Sequence, residues 1–280
     1  MNFKKHCHIS IMCNELIFLK YKLPFLYENF DQIIFIDYDI LNNCNSKDGS
    51  IEYIQNFNDE HNKIILIKFN KNDLKTITNY NGCSMIEKRK MFAKGSLYIK
   101  DDIDIIWATD MDEFFDKKLI SVVEDEYKYD KNLITLDFPQ YTFVYNQYNI
   151  LKGNEINNSS YLCPARITKH FKNKIYGHCN FDSYGKTKKC EKEFIYHFAW
   201  IGYNRNKFKL NIYNRNNDPE TKRINDIFLN VYYKSLIKNE KYINISHPNP
   251  NLNMYSVKFD NKIPEYIDNL TIINELNKLN

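Results

Sequence analysis

Apolar runs in the first 110 residues alternate with polar, helix-compatible stretches. His8–Cys13 (HISIMC) is short, apolar and β-branched at alternate places, which predicts a first strand. Leu16–Phe30 carries helical spacing, and Pro24 inside it predicts a kink or a division. Gln32–Asp37 (QIIFID) predicts a second, more fully buried strand that ends on an acid. The polar loop after it closes in Lys47-Asp48-Gly49-Ser50, where Asp48 or Ser50 can cap a helix starting near Ile51. Lys63–Phe69 predicts a third strand, Ser84–Tyr98 a helix, and Ile103–Thr109 a fourth strand. Strand and helix in turn at this spacing predict an α/β class, a three-layer α/β/α sandwich with a mostly parallel central sheet.

Beyond Phe115 the pattern changes. Lys117–Lys128 predicts a helix, Leu133–Phe138 and Tyr141–Tyr145 alternate like strands, and Asn149–Ser160 reads as a polar loop. Ala165–Lys172, Lys174–His178 and Glu193–Trp200 predict short strands, with Gly177 and Gly185 marking turns. Asn204–Arg215 is basic and partly helical, and helices are expected at Ile224–Ile237 and Tyr266–Leu279. The expected division is a main domain over residues 1–235, in halves 1–115 and 116–235, with a helical extension over 236–280.

Composition narrows the class. The 280 residues are 43% hydrophobic and 26% charged, enough for a proper core. A net charge of +4 suits an anionic substrate and is no strong argument for a nucleic-acid binder. The seven cysteines form no C-x-x-C pair, so reduced thiols are expected. No run reaches the ~18 apolar residues of a membrane span, and the basic N-terminus lacks a signal-peptide core. The expectation is a cytoplasmic protein. Neither G-x-G-x-x-G nor G-x-x-x-x-G-K-[ST] occurs, which excludes both glycine-rich phosphate cradles.

The chemistry concentrates where the fourth strand ends. The apolar run Ile103–Ala108, broken only by Asp104, gives way to Asp110, Asp112 and Glu113. In open α/β sheets ligands bind beyond the carboxyl ends of strands. Carboxylates one residue apart repel when buried, and a divalent cation relieves that conflict with hard oxygen ligands. The plainer alternative is a solvated acidic turn at a helix start.

Taken in order, Asn14-Glu15 after strand one, Asp37 ending strand two, Asp48-Gly49-Ser50, Arg89 in a basic helix, and Asp110-Met111-Asp112 resemble the GT-A (Rossmann-like) glycosyltransferases of the large family-2 type. The resemblance covers roughly residues 5 to 115. More loosely, Arg166, His178, His197-Phe198-Ala199-Trp200, Lys207 and Tyr213 resemble the subgroup that builds bacterial lipopolysaccharide cores. The resemblance implies a nucleotide-binding half, a mixed, strand-containing acceptor half, and sugar transfer from a UDP- or GDP-sugar to a hydroxyl of a glycan or protein. It implies Mn²⁺ or Mg²⁺ on Asp112 with Asp110, and His197 as a metal ligand or diphosphate partner. Asn14 and Glu15 fall at the donor site, Asp37 on the base, and Arg89 on phosphate. Each has an ordinary alternative: a turn cap for Asp37, a surface pair for Arg89, a packed core histidine for His197.

An inverting reaction needs a carboxylate as base. Where the subgroup has V-H-E, this chain has His178 followed by Cys179, and the nearest carboxylate is Asp182; Asp137 and Glu113 compete. His178 is alternatively part of the acceptor pocket. The aromatic stretch Phe138–Tyr148 reads equally as a sugar-stacking platform or as strand core. Rival functions are transfer to a hydroxylated nucleic-acid base and a nucleotide-sugar-binding protein with a decayed site.

Overall fold

Strands form where β-branched residues crowd together and helices where the spacing lengthens, and the two alternate along the first half. The computed structural model describes residues 4–38, 44–70, 72–73, 86–144, 146–153, 166–171, 186–190, 195–202, 204–207, 210, 222–223, 226–230, 254–258, 262–264 and 266–267. The chain makes two compact units, Met1–Phe138 with Cys163–Glu193, and Pro139–Leu162 with Phe194–Asn280. Each unit is discontinuous in sequence, which a division at residues 115 and 235 does not describe.

In the first unit the elements are β1 (His6–Met12), α1 (Leu16–Asn29), β2 (Gln32–Asp37), α2 (Ser50–Gln55), β3 (Ile64–Lys68), α3 (Ile86–Ser96), β4 (Ile105–Ala108), β5 (Glu113–Phe114), α4 (Lys117–Tyr129) and β6 (Leu133–Asp137). With β9 (Arg166–Lys169) and β10 (Lys186–Lys189) they give a seven-stranded sheet in the order β10-β6-β9-β4-β1-β2-β3. The run β3, β2, β1, β4 is parallel, and β10 is parallel to β6. β9 alone runs antiparallel to both its neighbours, β4 and β6. The fold is a mixed α/β fold with a large, mostly parallel central sheet.

Successive strand residues face opposite sides. One side carries Cys7 and Ile9 of β1, Ile34 and Ile36 of β2, and Ile106 and Ala108 of β4, buried with Met91 and Phe92 of α3. Gly95 of α3 makes this approach possible: a Cβ there would lie 2.5 Å from Ile36 Cδ1. The other side carries His6, His8 and Ser10 of β1 and Trp107 of β4, under α1 and α4. Trp107 stacks on Phe115 at 4.8 Å and meets Phe30 edge-on at 5.4 Å. Helices on both faces account for a strand such as β2 being buried along its whole length.

β2 has its expected limits. α1 runs undivided through Pro24, contrary to the expected break, and that proline is exposed. β4 is shorter than expected at its start, because Ile103 donates to Lys100 in a turn and Asp104 accepts the Lys5 N–H. Among the described residues no helix is long and apolar enough to cross a membrane.

In the second unit β7 (Gln140–Val144), β8 (Asn146–Gly153), β11 (Ile195–Trp200) and β12 (Met254–Lys258) lie in the order β12-β8-β7-β11. β8 is antiparallel to β7 and β12, and β11 is parallel to β7. β8 replaces the expected polar loop over residues 149–153, the rest of which lies outside the described residues, and β12 adds a strand in the tail. The sequence of β8, NQYNILKG, is largely polar, so hydrogen bonding to β7 and β12 rather than local propensity makes it a strand. The strand expected at Lys174–His178 lies outside the described residues, as does nearly all of the helix expected at Tyr266–Leu279.

Candidate active site at the carboxyl edge of the main sheet

Parallel pairing in register brings the carboxyl ends of β1 and β2 together, with Met12 opposite Asp37. The chain leaving β1 turns at Asn14, whose φ of 53° is the left-handed conformation that asparagine tolerates. Asn14 donates its N–H to Ser46 Oγ at 2.8 Å and accepts the Lys47 N–H on Oδ1 at 2.9 Å. Ser46 in turn donates its N–H, at 2.9 Å, and its hydroxyl to the Asp37 carboxylate. Asp48 accepts the Leu16 N–H at 2.8 Å, at the start of α1, and the Ser50 N–H at 3.0 Å, at the start of α2. Asn14, Asp37 and Asp48 thus tie one loop to two strand ends and two helix starts.

Asp37 is 0% exposed, and burial pushes its carboxyl upward against the pull of the Ser46 bonds. Its carboxylate is engaged inside the loop and does not face solvent. The Asp37 carboxylate clamps the loop through Ser46.

The acidic turn begins where β4 ends. Asp110 donates its N–H to Glu113 Oε2 at 2.9 Å, and Glu113 returns its N–H to the Asp110 carbonyl at 3.1 Å. Asp112 and Glu113 are buried, at 3% and 2% exposed, while Asp110 is half-buried. Beneath the turn lies Lys22 of α1, 1% exposed. Its ammonium donates to Thr109 Oγ1 at 3.0 Å and to the Asp110 carbonyl. Burial brings Lys22 down to about 8, opposed by the charges of Glu113, Asp112, Asp110 and Glu15. Burial, then Asp110 and Asp112, push the Glu113 carboxyl well up.

From the β1 side, Ser10 donates its hydroxyl to the Thr109 carbonyl at 2.8 Å, and His8 Nε2 lies 2.6 Å from Thr109 Oγ1. The same hydroxyl accepts from Lys22, and His8 Nδ1 is buried with no hydrogen-bond partner among the described residues. Burial, then Lys22, hold this imidazole well below its ordinary value, so it is neutral in the fold. An unfolded histidine charges below about pH 6.5. A lowered folded pKa means that stability is lost as pH falls through that value, by about 1.4 kcal/mol per unit for one group. Between pH 7.5 and 5.5, urea unfolding of the wild type should lose about 1.4 kcal/mol that His8→Gln keeps.

The structure brings together Asn14, Glu15, Asp37, Asp110 and Asp112 at one edge of the first unit. Glu15 caps α1 with its carbonyl, which accepts the Phe18 and Leu19 N–H groups at 3.0 and 2.9 Å. Arg89 lies on α3, and its side chain is outside the described residues, as are His178 and Asp182 entirely. His197 belongs to the second unit, on β11 opposite Thr142 of β7. Of the other candidate bases, Glu113 is the buried acceptor just described, and Asp137 ends β6 opposite Arg166 of β9. In the aromatic stretch, Phe143 stacks on Phe198 at 4.8 Å as core, whereas Tyr141 is half-buried.

Among the described residues no three or more His, Cys, Asp and Glu side chains gather as a metal-holding group. The donor set fits a narrower demand. Mg²⁺ is commonly held by one or two carboxylates and completed by water and substrate phosphates. Beside the carboxylates of the turn lies the Lys22 ammonium, among the charges of Glu113, Asp112, Asp110 and Glu15.

Sequence reading missed Lys22, His8, Ser10, Thr109 and Ser46. The signal for Lys22 was present: it lies four residues from Phe18 and four from Leu26, on the buried stripe of α1. His6, His8 and Ser10 likewise mark alternate positions of an apolar strand.

No protein-family model matches the chain, and no curated protein matches it. Among solved structures it is similar to 4-diphosphocytidyl-2C-methyl-D-erythritol synthase from Anaerococcus prevotii, at 8% identity over 67% of this chain and 89% of that one, with a TM-score of 0.36. It is also similar to mannose-1-phosphate geranyltransferase from Thermus thermophilus, at 6% identity over 54% of this chain and 46% of that one, with a TM-score of 0.29. At scores this low neither likeness carries an argument about the chemistry.

Proposed function

We propose that the chain is a glycosyltransferase that moves a sugar from a UDP- or GDP-sugar to an acceptor hydroxyl, assisted by Mn²⁺ or Mg²⁺. The observation that carries this reading is the convergence of the acidic turn after β4 with the Asn14–Asp37–Asp48 loop on one sheet edge. An edge of that kind offers a nucleotide two things it needs: a shaped loop beside β1 and β2, and carboxylates where a diphosphate's counter-ion sits.

Asp112, with Asp110, would hold the ion. Held by these residues, a divalent ion would supply positive charge to offset the negative charge developing on a departing diphosphate. Asn14 and Asp37 act through the loop they fix, which supports the base and ribose. Arg89 contributes a charge-assisted contact to phosphate. The acceptor oxygen attacks the anomeric carbon as the bond to the diphosphate breaks, and the diphosphate leaves with that electron pair. The hydroxyl proton passes to a carboxylate, assigned to Asp182, with His178 in the acceptor pocket.

A panel of UDP- and GDP-sugars, incubated with the protein with and without Mn²⁺, tests the reading. The expected result is release of nucleoside diphosphate from at least one donor, dependent on the ion. Absence of both turnover and calorimetric binding across the panel would sink it.

A further inference from the structure

We propose that Lys22 is the positioning residue of the acidic turn, fixing the backbone from Thr109 to Glu113 so that Asp110 and Asp112 are presented at the sheet edge. Its link to a bound ion rests on the function proposed above; its link to the turn does not. A lysine ordinarily runs its stem along apolar surface and keeps its ammonium in water. Lys22 is 1% exposed, and its ammonium ends between consecutive residues of the turn, on Thr109 Oγ1 at 3.0 Å and on the Asp110 carbonyl. Burying an ammonium is unfavourable unless it is hydrogen-bonded and paired, so a lysine kept here has a task at these atoms.

That task follows from what each group of the turn does. Ser10 anchors the Thr109 carbonyl at 2.8 Å, and His8 meets the Thr109 hydroxyl at 2.6 Å. Glu113 takes the Asp110 N–H at 2.9 Å and returns its own N–H to the Asp110 carbonyl at 3.1 Å. Lys22 adds the remaining grip, from a helix 87 residues earlier in the chain. The path of the chain out of β4 is thereby set by side chains of β1 and α1 together with the turn's own Glu113. The same ammonium lies among the charges of Glu113, Asp112, Asp110 and Glu15, and lessens their mutual repulsion.

Two variants test this, Lys22→Met and Thr109→Val, the second removing one acceptor while keeping the charge. Amide hydrogen exchange is followed in residues 109–115 and, as an internal reference, in β2. In Lys22→Met the turn should exchange at least about tenfold faster than any change in β2 explains, and in Thr109→Val about threefold faster. Equal changes in turn and β2 would mean general loosening and would overturn the proposal. Should Lys22→Met fail to fold, Thr109→Val decides by the same comparison. A second readout is Mn²⁺ affinity by electron paramagnetic resonance, with the ion alone. Removing a nearby positive charge by itself tightens cation binding, whereas a displaced turn weakens it. A loss of about tenfold or more supports positioning; unchanged or tighter binding by a folded Lys22→Met refutes it. If the wild type binds no Mn²⁺, the proposed function fails, and the exchange comparison still decides the role of Lys22.

Discussion

If the chain transfers sugars as proposed, Asp112→Asn is expected to lower turnover by about a thousandfold and leave the fold in place. The amide matches the carboxylate in size, so a side chain only 3% exposed is replaced without a cavity. What is lost is the charge. An amide oxygen is a weaker ligand for a hard divalent cation, and the departing diphosphate then keeps its developing charge unscreened. Donor hydrolysis without acceptor falls in parallel, because it breaks the same sugar–phosphate bond. Stability moves little, within about 1 kcal/mol, since two changes oppose each other. Lys22 loses one favourable charge, and Glu113 loses one unfavourable neighbour. Turnover at saturating Mn²⁺, beside urea unfolding of the same preparation, checks both halves. Wild-type turnover in the variant would remove the ion from the mechanism.

The first half of this fold was legible because its strands carry their signal locally. β2 is a run of branched residues closed by polar sequence, and a strand buried on both faces needs no more than that. The acidic turn was legible for the same reason: an apolar run ending in carboxylates is a local pattern. Asp37 shows the limit. Its place at the end of β2 was readable, but not that Ser46, nine residues on, would enclose its carboxylate, because loop closure is not written as periodicity. Lys22 shows another. Its partners are 87 and 88 residues away, and a lysine on a buried stripe is ambiguous until the opposing strand is known. β8 was missed because its sequence is largely polar, and β12 because the strand it pairs with lies about a hundred residues away, which leaves no short-range mark.

Trp107→Ala is expected to destabilise the chain by about 4 kcal/mol. Trp107 is 0% exposed, stacks on Phe115 at 4.8 Å and meets Phe30 edge-on at 5.4 Å. Truncation removes both ring contacts and leaves a cavity between β4 and α1 that rigid neighbours on either side cannot collapse into. It also removes the donor of the 2.9 Å bond from Nε1 to His6 Nδ1. His6 is 2% exposed and directs its other nitrogen to Glu124 at 3.2 Å, so the lost partner is not replaced by bulk water. Trp107→Phe separates the two losses: it keeps an aromatic ring and forfeits the donor, for about 2 kcal/mol. Urea unfolding of wild type and both variants measures the series. A loss under about 1.5 kcal/mol in Trp107→Ala would mean that the indole is not packed as described. Small domains hold only about 5–15 kcal/mol in total, so the full loss takes a large share of what keeps β4 in register. Trp107 stands three residues before Asp110, and the same variant should therefore loosen the acidic turn before the rest of the sheet gives way.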